Sequence, residues 1–84
     1  MRRREAILVL REICECIPDM FINSVSLTPI NRFKDEFELR IYAFFDVKDF
    51  KSVQFIAQKH GLGVDQEAGF LLIYPAVKQI EITA

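Results

Sequence analysis

Phe37–Glu38–Leu39–Arg40–Ile41–Tyr42–Ala43–Phe44–Phe45 is the stretch whose reading decides the fold. Its first five residues alternate apolar and polar. Side chains of a strand point alternately to two faces, so this is a half-buried β-strand. From Tyr42 to Phe45 the strand is apolar on both faces. A second face that turns hydrophobic needs a cover: a second subunit, another partner or a nucleobase.

Upstream, Phe21, Val25 and Leu27 alternate with Ser24, Ser26 and Thr28, and the connection 30–35, polar apart from Ile30 and Phe33, follows. Residues 21–29 and 36–45 therefore predict a hairpin. Pairing Val25 with Ile41 and Leu27 with Leu39 places Phe21, Val25, Leu27, Phe37, Leu39, Ile41 and Phe45 on one face, assigned to the core. A one-residue slip buries Ser24, Ser26, Glu38 and Arg40 instead, so the register is well specified. The opposite face is graded. Thr28, Glu38, Ser26 and Arg40 suit water near the turn, whereas Ile22, Tyr42 and Phe44 at the far end do not.

Helices flank the hairpin. In residues 3–17, Ala6, Ile7, Leu10, Ile13, Cys14 and Ile17 follow the spacing of one helical face, and Pro18 ends it. Leu8 falls on the polar side. After Phe45, Asp46 is placed to accept from the first amides of a second helix, with Asp49 in its first turn. Phe50, Val53, Ile56 and Ala57 form the inward stripe, with His60 at its edge and Gly61 as the left-handed C-terminal residue. Phe55 faces the other way. Val64 falls in a short strand, Glu67–Ala68–Gly69 is a turn, and Phe70–Tyr74 is an apolar run expected to be covered on both faces. Residues 77–82 alternate in part and read as an edge strand or a tail.

The order helix–strand–strand–helix–strand–strand gives the predicted fold class: α+β, a single domain over residues 1–84, with two helices packed on one face of a four-stranded antiparallel sheet. This order is similar to the ferredoxin-like βαββαβ arrangement, permuted so that its first strand comes last. The likeness is architectural and implies no function.

Composition narrows the function classes. The chain has 84 residues, of which 51% are hydrophobic and 27% charged, and a net charge of −1. A domain this small buries about 60–65% of its unfolded surface, and association is a natural supplement to its core. The charge balance lacks the basic excess of a dedicated nucleic-acid binder. Arg2, Arg3 and Arg4 form the one basic run and read as a frayed, solvated terminus. Apolar runs are too short for a membrane span or a signal-peptide core, so the chain is expected in the cytoplasm without a membrane partner. Cys14 and Cys16 point about 200° apart on a helix and cannot bridge; one buried and one surface thiol are expected.

No catalytic, cofactor or metal signature emerges, and the chain is read as leaning away from an enzyme. His60 fits a cap or core edge, Asp46 and Asp49 a helix start, and Asp65 and Glu67 a solvated turn. Gly61 and Gly63 follow a helix rather than a strand and are not a dinucleotide fingerprint. Leu8 and Phe55 would form a second contact patch if the helices lay side by side.

Within the deciding strand, Arg40, Tyr42, Ala43 and Phe44 match the octamer of the RNA-recognition motif, while Ile41 and Phe45 replace its usual glycine and valine. The segment 40–45 resembles that motif, and the resemblance implies nucleic-acid contact by Arg40, Tyr42 and Phe44. The leading expectation is different: a small, non-enzymatic interaction or regulatory module, homodimeric through the second face of its sheet. Ile22, Tyr42, Phe44, Leu72 and Tyr74 form the candidate interface, with a heterologous protein as a further partner class.

Overall fold

The hairpin forms in the expected register. In the computed structural model, which describes residues 1–31 and 35–76, β1 (Phe21–Asn31) pairs antiparallel with β2 (Glu36–Phe44), with Val25 opposite Ile41 and Leu27 opposite Leu39. Two further strands, β3 (Leu62–Glu67) and β4 (Phe70–Pro75), complete an antiparallel sheet of order β1-β2-β4-β3. The expected strand or tail at 77–82 lies outside the described residues.

Two helices, α1 (Arg3–Cys16) and α2 (Val47–Lys59), pack on one face of this sheet, α1 against β2 and α2 against β3. Between the layers lies one continuous apolar cluster. Val9, Ile13, Ile41, Val53, Ala57, Leu71 and Ile73 within it are fully inaccessible to water. Burying an aliphatic side chain of this size stabilises by about 1.5–3 kcal/mol, so this cluster is the main favourable term in the fold.

The helix ends follow local chemistry. Asp46 Oδ1 accepts from the Asp49 amide at 2.8 Å, and Asp49 Oδ2 accepts in return from the Asp46 amide at 3.2 Å. This reciprocal capping box starts α2. Gly61 leaves the helix with φ of 71°, a conformation costly for other residues. At the C-terminal end of α2, Lys59 and His60 both reach Glu12 on α1. His60 Nε2 lies 2.9 Å from Glu12 Oε1, and Lys59 Nζ donates to the other carboxylate oxygen. This clasp ties the two helices together beside the core.

Three expectations are corrected. The buried stripe of α1 is Ala6, Val9 and Ile13, with Leu10 and Ile17 partly covered; Ile7 is exposed. Both cysteines are exposed, where one buried thiol was expected. The start of the chain is held rather than frayed. Met1 is buried, its carbonyl accepts from the Phe37 amide at 2.8 Å, and its ammonium donates to the Phe37 carbonyl at 3.3 Å. Arg3 then lies over the Phe37 ring, 5.3 Å from its centroid.

Candidate functional site: the open face of the sheet

The face of the sheet turned away from the helices carries the unusual side chains. Arg40 pairs across to Leu72 and Tyr42 to Phe70, so all four share this face. Asp65 pairs with Leu72, Gly63 with Tyr74 and Glu67 with Phe70, which adds Asp65, Tyr74 and Glu67 to the same side. On β1, Ser26 pairs with Arg40, Ser24 with Tyr42 and Phe21 with Phe44.

Ile22 does not belong to this face. The ladder shifts between Ile22 and Ser24, leaving Asn23 as an extra residue. A bulge of this kind breaks the two-residue period. Ile22 therefore sits opposite Ala43, on the core side, and is partly buried there. Phe21 takes the outer place expected of Ile22. Its ring stacks on Phe44 with centroids 5.7 Å apart and planes inclined by 16°. The two rings are 61% and 69% exposed, so the stack is presented to solvent at one end of the face.

The middle of the face is a packed aromatic and cationic group. Tyr42 and Phe70 meet with centroids 5.1 Å apart, and the Arg40 guanidinium lies over Phe70 at 5.6 Å. Arg40 Nη2 donates to Glu38 Oε1 at 3.2 Å. The Tyr42 hydroxyl and the Glu38 carboxylate hold the guanidinium above its ordinary pKa. Arg40 Nε is buried and has no hydrogen-bond partner. Such an orphaned donor is costly, and it marks a place where the chain is not internally satisfied. At the far side, the Tyr74 hydroxyl donates to Asp65 Oδ1 at 3.2 Å. Burial, then that bond, raise the hydroxyl's pKa. The end of the Tyr74 ring covers Gly63, where a Cβ would stand 2.7 Å from it. Leu72 and Phe70 are half-buried by these neighbours. The run 70–74 is thus fully covered on its core side, where Leu71 and Ile73 lie, and only partly on the other.

The charge on this face is acidic. Arg40 faces Glu38, Asp65 and Glu67. The polar candidates do not converge on one another. His60 bonds Glu12 on the helix side, and Asp65 bonds Tyr74 on the opposite side of the sheet. Asp46 and Asp49 bond each other's amides at the start of α2. Among the described residues no three of His, Cys, Asp and Glu come together as a metal-ligand set. Leu8 and Phe55 line separate surface concavities, the first with Arg2, Arg3 and Arg4, the second with Val47, Lys48 and Lys51. They do not form one patch.

Comparison with known protein families, with curated proteins and with solved structures finds no match. No helix among the described residues is long and apolar enough to cross a membrane. Phe21 and Phe70 are the residues of the face that the strand pattern does not single out. The signal for Phe21 is Asn23, a poor strand residue placed where the alternation on β1 changes phase.

Proposed function

We propose that this chain is a small non-enzymatic interaction module that forms a homodimer through the open face of its sheet. The observation that carries the reading is the exposed Phe21–Phe44 stack, continuous in sheet order with Tyr42, Phe70, Leu72 and Tyr74. Each aromatic residue brings about 150–250 Å² of surface. Together these side chains leave on the order of 500 Å² of apolar area at the surface, near the upper end of the largest patch on a typical monomer, and such patches are often functional. A standard interface buries about 800 Å² on each partner, which the aromatic patch with its polar rim approaches.

Sedimentation equilibrium tests this. The wild type should show at least twice the monomer mass, and Tyr42→Ser with Phe44→Ser should halve the mass observed for the wild type. A wild type that stays monomeric at several hundred micromolar overturns the proposal. The architecture supports reading the fold as a permuted ferredoxin-like arrangement, since moving that arrangement's first strand to the end yields the order β1-β2-β4-β3.

Nucleic-acid contact by Arg40, Tyr42 and Phe44 is the second reading, favoured by the cation stacked on Phe70. The three carboxylates on the same face oppose phosphate, so binding should be absent even in a low-salt filter assay, where electrostatic attraction is strongest.

A further inference from the structure

Among the described residues β1 pairs on one side only, with β2, and its other edge meets no strand. It is also uncharged over its whole length, Phe21–Asn31. The opposite edge strand, β3, carries Asp65 and Glu67. Charges, prolines and bulges are what keep an exposed edge from pairing with another chain. On β1 the devices present are the bulge at Asn23, Pro29 and a second irregularity between Pro29 and Asn31, and between Asn23 and Pro29 the stretch Ser24–Val25–Ser26–Leu27–Thr28 is regular and unprotected. The helices pack on β2 and β3, so β1 lies at the margin of the core and touches it through Ile22 and Leu27. Val25 belongs to the core face, opposite Ile41, yet is 40% exposed.

We infer that this segment pairs antiparallel with the same segment of a second copy, about a two-fold axis at Ser26, to make a continuous eight-stranded sheet. The register is self-complementary. Val25 of each copy meets Leu27 of the other on the helix side, which covers Val25. Ser24 meets Thr28, and Ser26 meets Ser26, on the open side, where hydroxyl pairs across strands are favourable. Pro29 falls opposite Asn23, so the residue without an N–H meets the bulge, and pairing ends at both places at once. Pro29 is tolerated in a strand where its missing N–H faces outward. Val25 and Leu27 have the same parity, so their amides face outward and supply the hydrogen bonds. Ser26 is then a non-hydrogen-bonded pair, with Cα atoms about 4.5 Å apart, within reach of a disulfide. An isologous contact of this kind closes on itself as a dimer.

This pairing is independent of the sheet-face dimer, and the tests separate the two. In a Cys14→Ser, Cys16→Ser background, Ser26→Cys should oxidise to a covalent dimer at least about tenfold faster than Ser24→Cys, whose partner position is Thr28. Ser26→Glu should fold, because the new carboxylate lies beside Arg40, and should lose the concentration-dependent exchange protection of the Val25 and Leu27 amides. Equal oxidation rates for the two cysteine variants overturn the inference. So do Val25 and Leu27 amides that exchange no more slowly at high concentration than at low. If Tyr42→Ser with Phe44→Ser abolishes association while Ser26→Glu leaves it intact, the face is the interface and the edge is not.

Discussion

Gly63 owes its identity to a neighbour rather than to its backbone angle. The Tyr74 ring occupies the space a Cβ would need, at 2.7 Å. Gly63→Ala should displace that ring from the sheet and weaken its bond to Asp65. The atoms met are the far end of a half-exposed side chain that can swing aside, so a cost below about 1 kcal/mol is expected, and urea denaturation measures it. Ile41 is the reverse case, a fully buried side chain at the centre of the sheet. Ile41→Ala should cost about 2–5 kcal/mol in the same assay. Phe44→Ser, by contrast, removes a side chain that is 69% exposed, so it should change solution mass far more than monomer stability. Ile41 and Phe44 were both legible in the strand pattern, because alternation states which parity faces inward. Gly63 was not. Nothing in the sequence places Tyr74 opposite it until β3 and β4 are paired.

At the level of elements, the bulge in β1 and the clasp between the helices carry the consequences. Deleting Asn23 removes the extra residue while leaving Ile22 opposite Ala43 and Phe21 opposite Phe44. The deletion should therefore change stability by less than about 1 kcal/mol, whereas insertion of a second residue there should expose Ile22 and cost more. The clasp predicts a pH dependence. Hydrogen bonds from His60, first, and from Lys59 hold the Glu12 carboxyl below its ordinary value of 4.5. A carboxylate with a depressed folded-state pKa contributes its full stabilisation above the unfolded value and loses it as pH falls through the folded one. Wild-type denaturation midpoints should therefore drop as pH is lowered from about 5 toward 3, and Glu12→Gln should flatten that part of the curve. A curve of the same steepness in Glu12→Gln would assign the acid limb to other carboxylates. The face of α1 shows how far an element can be read alone. Ala6, Ile7, Leu10, Ile13, Cys14 and Ile17 fit a helical stripe as well as Ala6, Val9, Leu10, Ile13 and Ile17 do. Both sets obey the same spacing, and only the position of β2 beneath the helix selects the second.

For the whole molecule the charges are segregated. With their N-terminal caps, the helices carry seven cationic side chains and five carboxylates, and the strands carry one and four. The open face is thus aromatic and acidic, and the helix layer basic. A dimer closed by the aromatic face should depend weakly on salt, since its attraction is mainly apolar. Sedimentation at 50 mM and 500 mM salt should give dissociation constants within a few-fold of each other, and a large loss at high salt would point instead to charge pairing across the interface.

The sequence by itself determined the element order, the register of β1 on β2, the capping box of α2 and the apolar character of Tyr42 and Phe44. These rest on interactions between residues close in the chain or on strict alternation, which a linear pattern records. Only the packing of distant elements set Phe21 rather than Ile22 beside Phe44, Tyr74 on Gly63, Glu12 against His60, and Val25 of β1 in the open. Each of these depends on where a distant element comes to rest, and a bulge of one residue or a shift of one helix reverses which side chain faces water.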